Sequence, residues 1–280
     1  MDGIYPPMAC NIGDINIVVS QLNIALSGWH FDTASPYMLS LKASARANEA
    51  RAAKTAKADT VPINYDRTFA IIKQTLQNLS PPEDGSIFFV SEGANTMDIS
   101  RSIFAVEHHR LRLDAGTNAT MGIGLGYAIA AYTHYNPPPT RACSGSSSSA
   151  AASKKIVCIE GDSAFGFSMS EVETMARYGM EILSFVINNG GIYHGDSDSS
   201  AEWLGLQKKS RAGHAVDGLR STSLGWEVGY EKMPKMCGAV GYSVETPEEL
   251  QKATEEGFKA KVPVVINITI EAGQATKLVK

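Results

Sequence analysis

Asp162 carries a carboxylate and Asn189 a side-chain amide, and each residue lies just after the end of an apolar run. Gly161-Asp162-Ser163 directly follows the run KIVCIE at 155–160, and Asn188-Asn189 follows 24 further residues (164–187) that contain a helical pattern and a second apolar run. Strands of a parallel sheet present their carboxyl ends at one edge, where open α/β sheets bind ligands. We therefore expect Asp162 and Asn189 to lie close together.

These residues predict a cation site. The side chains of Asp162 and Asn189, with a backbone carbonyl freed by Gly190-Gly191, form an all-oxygen ligand set that suits Mg²⁺. A helix expected to begin near Phe167 or Ser168 would point free N–H groups at the same edge, which favours a phosphate. The alternative is two unrelated loop turns after strands; the flanking strand–helix–strand pattern argues against it.

The pattern resembles the thiamin diphosphate motif, in which GDG is followed after 24–27 residues by NN, with Ser163 replacing the last Gly. The segments FVSEGANTMDISR (89–101), LRLDAGTNATMGIGLGYAIAA (111–131) and EGDSAFGFSMSEVETMARY (160–178) are similar to the 2-hydroxyacyl-CoA lyase family, with oxalyl-CoA decarboxylase as its near relative. The similarity extends from about residue 11 to 272.

The resemblance implies a role in binding the cofactor for each matching residue. The set is Asn95, Ala119, Thr120, Met121, Gly161, Asp162, Ser163, Ala164, Asn189, Gly191 and Ile192. Asp162 and Asn189 would bind Mg²⁺ through their side chains, and Gly191 through its carbonyl. Ser163 and Ala164 would offer backbone N–H groups to the diphosphate. Asn95, expected in a loop after the strand IFFV, would also contact the diphosphate.

The same resemblance places two residues at the rings of the cofactor. Met121 would lie under the thiazolium ring, and the carbonyl of Ala119 would hold the 4′-amino group. Relatives usually have Gly where Ala119 stands and an aromatic residue where Asn118 stands; a Cβ at 119 could crowd the ring or oppose a positive φ. Tyr193 and His194 are candidates for lining the substrate pocket, with ordinary packing and a solvated loop histidine as the respective alternatives.

The implied activity is a thiamin diphosphate- and Mg²⁺-dependent carbon–carbon lyase of fatty acid α-oxidation. It would cleave a 2-hydroxyacyl-CoA to formyl-CoA and an aldehyde shortened by one carbon, with the thiazolium as electron sink. The activating glutamate of such enzymes lies in an N-terminal pyrimidine-binding domain, usually of the partner subunit, and nothing in this sequence matches that domain. We therefore expect activity only with such a domain, from another chain or a longer native protein, in a homo-oligomer. The alternatives are an oxalyl-CoA decarboxylase-like enzyme and a non-catalytic remnant or regulatory subunit.

The surrounding pattern predicts the elements that position these residues. Strands are expected at 87–90, 155–160, 182–188 and 262–271; the first of these runs is uniformly apolar, as buried parallel strands are. Helices are expected from Asn64 or Asp66 to Leu79, within 120–133, over 170–179, and over 245–260 with Thr246 as cap. This alternation indicates an α/β fold, a parallel sheet with helices on both faces.

The predicted domains are unequal. Residues 1–60 are interpreted as the end of a middle domain with peripheral linker helices, one capped by Asp14 and one from Pro36 until Pro62. Residues 61–272 form the diphosphate-binding domain, with a disordered Ser/Pro-rich insertion at 136–153, and 273–280 form a short tail. The polar, Gly-rich segment 195–235 is expected to be a lid, a binding loop or a disordered tract.

Composition excludes several classes of function. The chain has 280 residues and a formal charge of −4, and its Lys and Arg residues form no basic stripe, which argues against nucleic acid. No apolar run approaches the ~20 residues of a membrane span. Four separated cysteines indicate reduced thiols in an intracellular protein. The last residues do not form an SKL-type peroxisomal signal. We expect an intracellular location, either in the cytoplasm or in a peroxisome-like organelle.

Overall fold

The structure, a computed structural model, describes residues 13–58, 60–104, 106–137, 153–214 and 216–273. Most of the expected disordered insertion (138–152), Cys10, Cys143 and residues 274–280 of the expected tail lie outside the described residues. The chain divides into two compact units, with the boundary between Arg51 and Ala52.

The first unit is helical, as its sequence predicts. It contains α1 (Ile15–Ala25) and most of α2 (Pro36–Thr55), and neither helix has a buried residue. Asp14 caps α1, since its carboxylate accepts a 2.9 Å hydrogen bond from the N–H of Asn16. The helix α2 begins at Pro36 as expected but ends at Thr55, ahead of the proline that was expected to end it.

The second unit is built on one six-stranded sheet. Its strands are β1 (Ile87–Glu92), β2 (Arg112–Asp114), β3 (Lys155–Gly161), β4 (Leu183–Asn188), β5 (Val240–Val244) and β6 (Val264–Thr269). They are parallel throughout and lie in the order β2-β1-β3-β4-β6-β5. The sequence does not predict the two outermost strands, because β2 and β5 are only partly buried and lack an apolar run.

Within the described residues, this unit contains eight complete α-helices and a short 3-10 helix, Pro82–Asp84. The α-helices are α3 (Tyr65–Leu79), α4 (Ala94–Ile103), α5 (Gly124–Tyr135), α6 (Asp162–Ser168), α7 (Glu171–Arg177), α8 (Ser200–Arg211), α9 (Lys232–Met236) and α10 (Pro247–Lys259). Two caps agree with prediction. Asn64 accepts from the N–H of Arg67 at 2.8 Å, and Thr246 forms a capping box with Glu249.

Both faces of the sheet are covered. On one face α3 and α10 pack against the strands, with Phe69, Ile72 and Leu250 in a shared core cluster with Phe185 and Ile266. The other face is covered by α5, α6 and α7, and its core residues are Leu125, Phe165, Met175, Cys158 and Val186. The predicted α/β fold is thereby confirmed.

Three local predictions are wrong. Asn95 lies in the first turn of α4 and not in a loop, and the helix after Gly161 begins at Asp162 and not near Phe167 or Ser168. The segment 195–235 contains the twelve-residue helix α8, of which only Trp203 is buried. A surface helix with one buried residue has almost no apolar periodicity, which explains why its sequence looks irregular.

The described residues at the two ends of the Ser/Pro-rich segment lie next to each other. The side-chain amide of Asn136 donates to the carbonyl of Lys154 at 2.9 Å and accepts from the N–H of Lys154 at 3.1 Å, and the Ser153 hydroxyl donates to the same amide. Asn136 therefore joins the end of α5 to the start of β3.

Candidate functional site

Asp162 and the Asn189–Gly191 turn meet at the carboxyl edge of the sheet. They follow the adjacent strands β3 and β4, which pair in parallel with Gly161 opposite Ile187. One carboxylate oxygen of Asp162 accepts from the N–H groups of Gly190 at 2.8 Å and Gly191 at 3.2 Å. The topology thus brings the two parts of the motif into direct contact.

The carboxylate of Asp162 is buried, and the groups that donate hydrogen bonds to it are uncharged. Its other oxygen accepts from the N–H of Ser163 at 2.7 Å, so its hydrogen-bond donors in the described chain are backbone amides. Burial raises the pKa of Asp162 to about 7, while these backbone hydrogen bonds act in the opposite direction. A bound cation would supply the positive charge that this environment lacks.

The side chain of Asn189 is held in one orientation in part by Tyr65, a residue that the sequence pattern does not single out. Its amide nitrogen donates to the Tyr65 hydroxyl at 3.3 Å and to the carbonyl of Tyr193 at 3.2 Å, and its amide oxygen accepts from the N–H of Gly191 at 3.3 Å. Tyr65 is the first residue of α3, and its hydroxyl also bonds Thr96. With the nitrogen engaged by acceptors, the oxygen is the atom left for a metal.

The loop after Asn189 is tied to α4. The side-chain amide of Asn95 donates to the carbonyl of Tyr193 at 2.5 Å, so Asn95 and Asn189 share one acceptor. Tyr193 has φ +69°, a left-handed conformation that is unusual for a large residue, and its side chain is exposed. Asn95 and Tyr193 therefore lie beside the Asp162 cluster.

His194 has hydrogen-bond partners on both ring nitrogens. Nε2 lies 2.7 Å from a guanidinium nitrogen of Arg220, and Nδ1 lies 2.9 Å from the carbonyl of Gly195. Since a guanidinium has only donors, Nε2 accepts and Nδ1 carries the proton. Arg220 also pairs with Asp196 and bonds the carbonyl of His194. A lone arginine in a polar segment gives no signal of this role in the sequence.

The segment with the predicted ring contacts lies between β2 and α5. Asn118, Ala119 and Thr120 are exposed and Met121 is half-buried. Ala119 has φ +46°, so it adopts the left-handed conformation despite its Cβ. Gly122, at φ +85°, passes so close to α6 that a Cβ would lie 2.7 Å from the Cβ of Phe167. The end of this segment is thereby placed against the helix that begins with Asp162.

Two buried glutamates lie beside Gly124, at the point where this segment meets α5. Glu92 and Glu160 are opposite each other at the ends of β1 and β3, and both are fully buried. Burial and the charge of Glu92 raise the pKa of Glu160 to about 8, and burial also raises the pKa of Glu92. Glu92 lies within the segment that resembles the lyase family, where an acidic residue ending an apolar strand is the signal that could have singled it out.

The other predicted contacts are distributed around the same edge. Gly161 ends β3, and Ser163 and Ala164 are buried in the first turn of α6. Gly93, at φ +88°, approaches Gly161 so closely that a Cβ would lie 3.1 Å from its nitrogen. Ile192 donates its N–H to the carbonyl of Thr222 at 3.0 Å, which ties the loop to the segment after α8.

One cavity in the described part of the chain is remote from this cluster. It measures about 140 Å³ and lies at the amino end of β1, lined in part by Ile87, Phe89 and Phe104. A smaller cavity of about 50 Å³ borders the candidate site and is lined in part by Asn189 and Trp226. The candidate site is the cluster at the carboxyl edge, the edge at which open parallel sheets bind ligands.

Comparison with known proteins shows the family of the chain. Residues 92–268 match the family described as thiamine pyrophosphate enzyme, C-terminal TPP binding domain. The chain is 37% identical over 262 residues to a 2-hydroxyacyl-CoA lyase of Arabidopsis thaliana, a match that covers 93% of this chain and 41% of that protein. It is 36% identical over 226 residues to oxalyl-CoA decarboxylase of Escherichia coli K12, covering 79% of this chain and 34% of that protein.

A solved structure supports the fold alone. Benzoylformate decarboxylase of Polynucleobacter necessarius aligns with a TM-score of 0.57 at 17% identity, over 78% of this chain and 35% of that one. The chain spans about two fifths of the length of the lyase that it matches.

Within the described ranges, no helix has both the length and the apolar character needed to cross a membrane.

Proposed function

The chain belongs to the thiamine pyrophosphate enzymes through their C-terminal TPP-binding domain, and from this premise we propose that it supplies the diphosphate- and Mg²⁺-binding half of a 2-hydroxyacyl-CoA lyase site. The proposed reaction cleaves a 2-hydroxyacyl-CoA to formyl-CoA and an aldehyde one carbon shorter. Thiamin diphosphate supplies the electron sink for breaking the carbon–carbon bond.

The observation that carries the proposal is the contact between Asp162 and the Asn189–Gly191 turn. Mg²⁺ prefers oxygen ligands, and the turn offers the amide oxygen of Asn189 beside a buried carboxylate that is bonded by backbone amides. The carbonyl of Gly190 accepts from the N–H of Leu224 at 3.0 Å. The next carbonyl, that of Gly191, is therefore the backbone ligand that we assign.

The remaining residues would hold the rest of the cofactor. We assign the N–H groups of Ser163 and Ala164 and the side chain of Asn95 to the diphosphate. Met121 is assigned to the thiazolium ring, and the carbonyl of Ala119 to the aminopyrimidine. His194 would act by shaping the loop, because Arg220 and Gly195 engage both of its nitrogens. Tyr193, exposed next to it, is the residue proposed to face substrate.

A second polypeptide region is required by this proposal. We assign residues 1–60 to the end of a middle domain and residues 61–272 to the cofactor domain. The activating glutamate would come from a pyrimidine-binding domain, on another chain or on a longer native protein, in a homo-oligomer. The chain covers 41% of the lyase relative, which leaves room in that protein for such a domain.

The test is an assay of formyl-CoA release from a 2-hydroxyacyl-CoA with Mg²⁺ and thiamin diphosphate. We expect no turnover by the chain alone and turnover when the pyrimidine-binding half of a lyase is supplied in trans or by fusion. The fusion carrying Asp162→Ala is the control and should be inactive. Cofactor binding without turnover in the fusion would instead indicate a non-catalytic or regulatory subunit.

Oxalyl-CoA decarboxylase activity is the second candidate, favoured by the 36% identity to the Escherichia coli enzyme. The same fusion should be given oxalyl-CoA in parallel. Release of carbon dioxide from oxalyl-CoA at a rate above that of 2-hydroxyacyl-CoA cleavage would favour the decarboxylase over the lyase. The metal and diphosphate assignments are common to both candidates.

A further inference from the structure

Glu92 is a fully buried carboxylate that faces the beginning of α5. It ends strand β1, and its two oxygens accept hydrogen bonds from the backbone N–H groups of Gly122 and Gly124. The N–H of Ile123 also contributes to this environment. One side chain therefore engages three consecutive residues that lie 30 to 32 positions further along the chain.

This contact replaces a local helix cap. The first N–H groups of a helix have no partner within the helix, and a side chain just before the helix usually satisfies them. Ile123 precedes α5 and provides no side-chain cap. Glu92, from strand β1, accepts from the N–H of the first helical residue, Gly124, and from the N–H of Gly122 just before the helix, so the start of α5 is attached to the sheet.

The surroundings leave the segment little freedom. Gly124 lies between the carboxylates of Glu92 and Glu160, where a Cβ would overlap both side chains. Gly122 lies against the Cβ of Phe167 at φ +85°. The backbone from Gly122 to Gly124 is thus confined by β1, β3 and α6 together.

The residues just before this segment have much less support. Asn118, Ala119 and Thr120 are exposed, and the N–H of Ala119 bonds the carbonyl of Gly116 at 3.2 Å within the same turn. The position of Met121 is therefore determined mainly through the residue that follows it, Gly122, and hence through Glu92.

We propose that Glu92 is a positioning residue for the rings of the cofactor, because it holds Gly122–Gly124 so that Met121 and Ala119 face the thiazolium and aminopyrimidine. This inference rests on the proposed function. It separates the site into two parts: Asp162 and Asn189 bind the metal and diphosphate independently of Glu92, whereas ring binding depends on it.

Two ligands distinguish binding of the metal and diphosphate from binding of the cofactor rings. The chain is titrated with thiamin diphosphate and with inorganic pyrophosphate, each with Mg²⁺, by isothermal titration calorimetry. In Glu92→Gln one acceptor oxygen becomes an NH₂ group, which cannot accept from a backbone N–H. We expect the Kd for pyrophosphate to stay within about twofold and the Kd for thiamin diphosphate to rise at least about tenfold.

The matched control is Glu249→Gln. Glu249 also accepts backbone N–H groups at a helix start, but at α10, so both Kd values should stay unchanged. Met121→Ala should reproduce the selective loss of thiamin diphosphate. If Glu92→Gln does not fold, as judged by thermal melting, Glu92→Asp keeps the charge while withdrawing it by one methylene, and it should show the same selective loss.

The outcomes distinguish the positioning role of Glu92 from the proposed function. An equal rise of both Kd values, or no change in either, in a folded Glu92 variant overturns the positioning role while Asp162→Ala still abolishes binding. Failure of the wild-type chain to bind either probe, or unchanged binding in Asp162→Ala, overturns the proposed function and this inference with it.

Discussion

Asp162 illustrates how burial prepares a carboxylate for a cation. Its partners in the described chain are backbone amides, and burial raises its pKa to about 7. Placing a charge in such a site is costly without a counter-charge. In the proposed site Mg²⁺ would supply that counter-charge.

Removal of this carboxylate tests the metal assignment. Asp162→Ala should weaken Mg²⁺-dependent binding of thiamin diphosphate by far more than about tenfold, because the charged ligand is lost. Calorimetry on the chain measures this effect. Asp98→Ala, which removes an exposed carboxylate from α4, is the control and should bind as the wild type does. Equal affinities in the two variants would refute the assignment of Asp162 as a ligand.

Tyr65 orients Asn189, the second ligand that we propose for the metal. Its hydroxyl accepts from the amide nitrogen of Asn189 at 3.3 Å, which turns the amide oxygen toward Gly191 and the proposed metal position. Tyr65→Phe removes this acceptor with little change in volume, so Mg²⁺ affinity should fall by about tenfold, as for other outer-shell partners.

A matched substitution separates orientation from general stability. Tyr135→Phe deletes a hydroxyl that donates to the carbonyl of Arg110 at 3.1 Å, at the opposite end of α5 from the site. Its Mg²⁺ affinity should equal that of the wild type. If the two variants lose affinity equally, Tyr65 does not orient the ligand.

At the scale of elements, glycines control how closely helices approach the sheet. Gly257 is buried in α10, and a Cβ there would lie 2.8 Å from Leu183 Cδ1 and 3.1 Å from Val264 Cγ1. Gly205 is exposed in α8, where a Cβ would meet nothing within 4 Å. The same residue type therefore has opposite roles in the two helices.

Alanine at each position should reveal this difference. Gly257→Ala should lower the free energy of unfolding by about 1–3 kcal/mol, because the added methyl overpacks the interface. Gly205→Ala should raise it by about 0.5–1 kcal/mol, because alanine favours a helix. Urea unfolding measures both effects. Stabilisation by both variants would show that α10 has room to move away from the sheet.

Local patterns predicted the elements with a strong local signal. The apolar runs became β1, β3, β4 and β6, and the caps Asn64 and Thr246 start α3 and α10. Elements that lack such a signal were missed. β2 and β5 are short and partly exposed, and α8 buries only Trp203, so neither period 2 nor period 3.6 is visible in their sequences.

At the scale of the whole molecule, one lysine links stability to pH. Lys155 is partly buried at the start of β3, and burial lowers its pKa from 10.5 to about 8. Between pH 8 and 10.5 the unfolded chain binds this proton and the folded chain does not. Linkage therefore predicts that Lys155 contributes a rise in folding stability with increasing pH in this window.

Comparison with a variant isolates this contribution from other titrating groups. The urea midpoint of wild type minus that of Lys155→Met should become more positive from pH 8 to 10.5, and should stay constant between pH 6 and 7. Lys252→Met, at an exposed residue of α10, should show no such trend. A difference that does not vary with pH would mean that Lys155 titrates normally in the folded protein.

The sequence by itself determined the α/β fold, the family and the convergence of Asp162 with Asn189. The physical reason is that apolar runs and caps are local, and parallel strands share one carboxyl edge. Only the tertiary structure decided the partners of those residues. Tyr65 reaches Asn189 across 124 positions, Glu92 reaches Gly122 across 30, and Arg220 reaches His194 across 26. Such contacts have no periodicity or spacing that a sequence displays, because they depend on how separate elements pack together.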